Sequence, residues 1–95
     1  MAQVIWQPEA ISDLEQIYNY LYERIPATAG DKIYEIYESA GRLKNFPLSG
    51  RIIPEFDTPE KREIIHYPYR VMYKVIDDEV HITTVIHGAM DFKPE

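Results

Sequence analysis

A chain of 95 residues, 45% of them apolar and spread along its length, is expected to fold as one domain (1–95) with a shallow active surface. It buries too little area for a deep cofactor pocket and too much for a disordered segment. The absence of cysteine excludes disulfides and thiolate metal sites, and no apolar run approaches the roughly 18 residues of a membrane span, so a reducing cytoplasm without export or anchoring is the expected setting. A formal net charge of −6 argues against a general nucleic-acid binder, although seven of the ten Lys and Arg residues lie between Arg42 and Lys74 and leave room for one basic zone on an acidic body.

Gln3 to Trp6 reads as a short strand, and Pro8 suits the first turn of a helix, where its missing N–H costs nothing. Ile11, Leu14, Ile17, Tyr18, Leu21 and Ile25 recur at spacings of three and four, which predicts an amphipathic helix with Glu9, Asp13, Glu15 and Glu23 on the wet side. Pro26 stops it. Thr28 and Asp31 resemble a capping box, and Ala29, Ile33, Ile36, Tyr37, Ala40 and Leu43 give a second stripe that ends near Phe46-Pro47, before the turn Leu48-Ser49-Gly50. So short a link predicts an antiparallel helical hairpin.

Beyond Lys61 the period changes. Arg62 to Tyr67, Tyr69 to Ile76 and Glu79 to His87 are rich in β-branched and aromatic residues and predict an antiparallel strand meander. With Asp77-Asp78 as the last turn, Val75 faces Val80, Tyr73 faces Ile82 and Val71 faces Thr84 on the core side. Arg70, Met72, Lys74, His81, Val85 and His87 then share the open side, with His87 diagonal to Arg70, or directly opposite it if the turn moves by one residue. The fold class is therefore α+β, a strand and a helical hairpin followed by a meander.

Four segments, in this order, are similar to the RelE/ParE toxin superfamily and to its ParE-like branch. They are Ala10-Ile11-Ser12-Asp13-Leu14-Glu15-Gln16-Ile17, Leu43 through Phe46-Pro47 to Gly50-Arg51, Arg62 through Tyr67-Pro68-Tyr69-Arg70-Val71-Met72-Tyr73, and Val85-Ile86-His87-Gly88-Ala89. The resemblance implies helices packed on one face of an antiparallel sheet, with the N-terminal strand paired into it. It implies an antitoxin partner as well, and one of two targets: DNA gyrase, inhibited without chemistry, or the ribosome, on which RelE-like members cleave mRNA. A plasmid-stabilisation role belongs to the same implication.

Cleavage by 2′-OH attack needs an acid, a base and cations around the phosphorane, and His87 with Arg70, Arg62 or Arg51 are the residues that fit those roles. Three features favour the gyrase-directed branch instead. The body is acidic, Met90 stands where related sequences commonly carry Arg, and the chain ends in Asp91-Phe92-Lys93-Pro94-Glu95 rather than in a basic segment. Met90 also raises a third reading, an interaction module of toxin ancestry that is no longer toxic. Arg62, Tyr67, Tyr69, Arg70, His87 and Met90 are the expected partner-binding residues; no metal or cofactor site is indicated.

Each of these has a plainer explanation. His87 is as readily a strand-end residue bonded locally, and His66 and His81 are surface or edge residues. Arg51 is accounted for by a cap or a pair with Glu55, Arg62 and Arg70 by pairs with the helix acids. Tyr18, Tyr37 and Tyr73 are expected in the core, which leaves Tyr67 and Tyr69 as the better interface rings.

Overall fold

The computed structural model describes residues 1–90 and runs β1 (Gln3–Trp6), α1 (Pro8–Arg24), α2 (Ala29–Ser39), a short 3-10 helix (Gly41–Lys44), β2 (Arg51–Ile52), β3 (Lys61–His66), β4 (Tyr69–Ile76) and β5 (Glu79–His87). The sheet order is β1-β5-β4-β3-β2. Strands β2 to β5 are antiparallel neighbours, and β1 closes the far edge parallel to β5, with Gln3 opposite Glu79 and Trp6 opposite Ile82. The expected α+β order is present; the two-residue β2 is an addition, too short to show a period of its own.

Both helices lie on one face. The Gln7 N–H, just ahead of α1, donates to the Ile82 carbonyl at 2.9 Å, so the start of the helix is tied to β5. Ala10 is wholly buried, and Leu14 and Ile17 pack against the same cluster as Val80, Ile82 and Val85. Ile11, Tyr18 and Ile25 are exposed, because a helix resting on one sheet face buries a narrower stripe than its apolar residues supply. In α2 Ala29 and Ile36 are buried, and Ile36 is the large side chain, 1% exposed, so Ile36→Ala would cost about 2–5 kcal/mol. Tyr37 is exposed rather than in the core and stacks on Trp6 with centroids 5.4 Å apart. The capping box does not form: Thr28 makes no side-chain cap bond, and the backbone N–H groups of Thr28 and Ala29 turn back to the Ile25 carbonyl instead.

Tyr73 is the predicted core tyrosine in fact. Its buried hydroxyl donates to the Pro47 carbonyl at 2.7 Å and accepts the Gly50 N–H at 3.0 Å, which fixes the turn between the 3-10 helix and β2 to the sheet. Gly50 is required there for space, since a Cβ would lie 2.6 Å from the Glu63 carbonyl oxygen and 2.7 Å from the Tyr73 hydroxyl.

The register of the last hairpin is the main departure from expectation. Near the Asp77-Asp78 turn it is as predicted, with Val75 opposite Val80 and Tyr73 opposite Ile82. A β-bulge beside Met72 and Tyr73 then inserts one residue, so that Val71 faces Val85 rather than Thr84, Arg70 faces Ile86, and Tyr69 faces His87. One extra residue reverses the side of everything beyond it. Val85 and His87 therefore lie on the helix side of the sheet, and Arg70 on the other.

That other side is partly covered. Met72 points there and is 1% exposed, because Ile53 and Phe56 of the segment after β2 fold across it. Among the described residues no helix is long and apolar enough to cross a membrane.

Candidate functional site

The residues singled out from the sequence separate into two groups on opposite faces of the sheet. On the covered face, Glu63 of β3 is 1% exposed and accepts hydrogen bonds from two arginines, Arg70 Nε at 2.7 Å and Arg51 Nε at 2.5 Å. The remaining Arg70 nitrogens grip both oxygens of Glu55 at 2.7 and 2.9 Å, a bidentate pair. The Arg70 bond holds the Glu55 carboxyl at about 2, well below its ordinary 4.5, and the Glu55 carboxylate in turn raises Arg70. These pairs replace the ones expected from the sequence: Arg51 bonds Glu63 and not Glu55, and Arg70 finds its partners on β3 and the loop rather than on a helix. Arg62 is also engaged, donating from Nε to the Pro59 carbonyl at 2.8 Å and from Nη1 to the Gly50 carbonyl at 3.0 Å.

The constellation of His87 beside Arg70 is thus not assembled. The bulge puts the imidazole on the helix side and leaves the guanidinium among carboxylates on the far side. Two of the three candidate arginines are ion-paired within the fold and the third braces backbone, which suits structural cations better than groups awaiting a phosphate. His81 is likewise no plain surface residue, since its Nδ1 lies 2.6 Å from the Gln7 amide nitrogen and its Nε2 3.1 Å from Glu79.

On the helix side, Tyr69, His87 and Met90 do come together. They line one wall of a groove of about 520 Å³ between α1 and the outer ends of β4 and β5, and Asp13, Gln16 and Tyr20 of α1 line the other. Tyr69 and His87 meet edge to face with ring centroids 5.8 Å apart. The Ala89 N–H donates to His87 Nδ1 at 3.1 Å, the local bond that a strand-end histidine would make. Tyr67 stands at the tip of the β3–β4 turn, next to a cis Tyr67–Pro68 peptide, and is 89% exposed. Met90 is exposed at the rim. The chain end from Asp91 to Glu95 lies outside the described residues.

Asp13, by residue type one of the wet acids of α1, instead lies in the wall of this groove. It is half-buried, its Oδ2 accepts the Val85 N–H at 2.9 Å, and desolvation outweighs that bond and pushes its carboxyl up. The signal was present in the sequence: Ala10, Asp13, Ile17 and Tyr20 recur at spacings of three and four and share one helix face. Among the described residues there is no cluster of three or more His, Asp or Glu placed to hold a metal ion.

A helical hairpin on one face of a five-stranded sheet, with a groove beside the first helix, is the architecture expected of the RelE/ParE toxin superfamily. The model of the ParE toxin of the type II toxin–antitoxin system parDE matches residues 4–92, and the chain belongs to this family of toxins. Toxin RelE2 of Caulobacter vibrioides is 33% identical over 90 residues, covering 94% of this chain and 98% of that protein. Two solved structures share the fold. The chromosomal ParDE system from P. aeruginosa superposes with a TM-score of 0.77 at 23% identity, over 92% of this chain and 96% of that one. The RelBE2 toxin–antitoxin complex from Mycobacterium tuberculosis does so with a TM-score of 0.66 at 22% identity, over 90% of each.

Proposed function

We propose that this toxin arrests growth by binding and inhibiting DNA gyrase, without chemistry of its own, and that a cognate antitoxin neutralises it. The observation that carries the reading is the commitment of the cations: Arg51 and Arg70 are ion-paired to Glu63 and Glu55, and His87 lies across the sheet from them. A nuclease of this size would need an acid or base and a free cation converging on one phosphate. Charge distribution supports the same choice. Residues 8–39, which form the helical layer, carry seven acidic side chains against two basic ones, a poor surface for docking on ribosomal RNA.

The test is induction of the chain with and without the open reading frame beside it, followed by gyrase supercoiling with purified protein. Arrest relieved by the neighbour, together with lost supercoiling, is the expected outcome. Arrest with supercoiling untouched sinks the gyrase target. The ribosomal reading has one observation on its side, the RelE2 name of the 33% identical relative. It predicts truncated messages in arrested cells and loss of cleavage in a folded His87→Ala protein.

A further inference from the structure

The groove beside α1 holds an arrangement that neither proposed target explains. Its lining is largely apolar, yet a carboxylate sits in its wall, and that carboxylate is partly desolvated. Asp13 Oδ2 is taken by the Val85 N–H, while Oδ1 has no hydrogen-bond partner and the carboxylate no cation within ion-pair reach among the described residues. A partly desolvated carboxylate in an apolar wall is disfavoured alone and becomes favourable when a cation closes over it. The surroundings favour that cation. The Tyr69 ring, half-buried, faces the groove, Gln16 and His87 offer polar atoms at the rim, and the rest of the helical layer is strongly acidic. Arg24, stacked 3.6 Å above the Tyr20 ring, shows a guanidinium lying on a tyrosine of this same helix.

Resting on the antitoxin reading above, we infer that the groove receives one basic side chain, Arg or Lys, from an otherwise apolar segment of the antitoxin, with Asp13 as its counter-ion and Tyr69 as its aromatic wall. The occupant is argued from charge complementarity: an apolar trough with one carboxylate in its wall, beside an acidic helical layer, discriminates for a segment that is apolar with a cation at one position, and against an acidic one. The surrounding apolar lining excludes water and strengthens the pair.

The protein encoded beside the toxin is titrated against the wild-type chain, Asp13→Asn, Tyr69→Ala and Glu15→Gln by calorimetry at two salt concentrations. Asp13→Asn keeps an oxygen to accept the Val85 N–H, so the fold persists, and an unchanged circular dichroism spectrum and melting midpoint verify it. Binding should weaken about tenfold in Asp13→Asn, with a shallower salt dependence, and by a comparable factor in Tyr69→Ala. Glu15, exposed on α1 away from the groove, should leave the affinity within about twofold. Replacing each Lys and Arg of the antitoxin in turn should reveal one whose loss adds nothing further in the Asp13→Asn background. A complex whose affinity is the same with Asp13→Asn, or in which every antitoxin cation is additive with it, overturns this inference and leaves the antitoxin reading standing. Absence of any complex overturns both.

Discussion

Replacing Glu63 by Gln removes a single charge from the centre of the arginine cluster while keeping the shape of the side chain, and the structure sets the size of the effect. Glu63 has no exposed side-chain surface, and its stronger partner, Arg70, is 10% exposed, so this pair is not screened by water. Arg51 is 56% exposed and its share is correspondingly small. Breaking a buried ion pair from one side costs about 3–5 kcal/mol, because the surviving charge is left without compensation. Here Arg70 keeps Glu55, and the new amide oxygen can still accept one hydrogen bond, so about 3 kcal/mol is expected. Against a total stability of about 5–15 kcal/mol for a domain, that is a large fraction. In urea, with a slope of about 1.5 kcal/mol per molar, the unfolding midpoint should fall by about 2 M at unchanged slope. Arg51→Met should shift it by less than about 0.7 M, the equivalent of about 1 kcal/mol at the same slope. If Glu63→Gln moved the midpoint by less than about 0.5 M, the cluster would not be holding the covered face of the sheet. Its arginines would then not be committed to the fold and could serve a phosphate instead.

Further outcomes follow from other contacts. Tyr73→Phe strands both the Gly50 N–H and the Pro47 carbonyl and should cost about 2–4 kcal/mol by denaturant titration. Burial raises the Tyr73 hydroxyl above its ordinary 10.0, so the stability it contributes is complete below that value and declines as pH climbs through the higher folded one; the gap between wild type and Tyr73→Phe should narrow above pH 10. Gly50→Ala should cost about 1–3 kcal/mol, and less than additively in the Tyr73→Phe background, because the added methyl collides with the same hydroxyl. The Glu55 carboxyl is depressed to about 2, so its contribution is present above its ordinary 4.5 and disappears as pH falls from there toward 2; the midpoints of wild type and Glu55→Gln should converge over that interval, and a gap that stayed constant would refute the pairing with Arg70.

Much of the fold was legible because its signals are local. The stripe of Leu14 and Ile17, the stop at Pro26 and the alternation of Val71, Tyr73 and Val75 each report on neighbours a few residues away. What escaped depends on distant partners. Glu63 alternates in β3 as any strand residue would, and nothing nearby announces two arginines seven and twelve positions away in sequence. The bulge left a faint mark: the inward residues of β5 are Val80, Ile82 and Val85, and the skip across Thr83 and Thr84 breaks an alternation that would otherwise have continued to Thr84. Assuming an unbroken ladder placed His87 with Arg70. The groove escaped for a related reason, since Asp13 was grouped with the acids of its helix by residue type rather than by the face it shares with Ala10 and Ile17.

The bulge beside Tyr73 divides β5 into two halves that are out of phase. The half nearest the Asp77-Asp78 turn is locked to the core by Val80 and Ile82, and the far half by Val85, with Thr83 and Thr84 between them outside the core. Removing one threonine from the Thr83-Thr84 pair would leave a regular ladder in which Ile82, a single threonine and Val85 alternate, so Val85 would stay opposite Val71, and His87 opposite Tyr69, on the side that faces α1. The surplus residue is therefore absorbed where it occurs: β5 carries one residue more than its neighbour, while the aromatic wall of the groove keeps its side of the sheet.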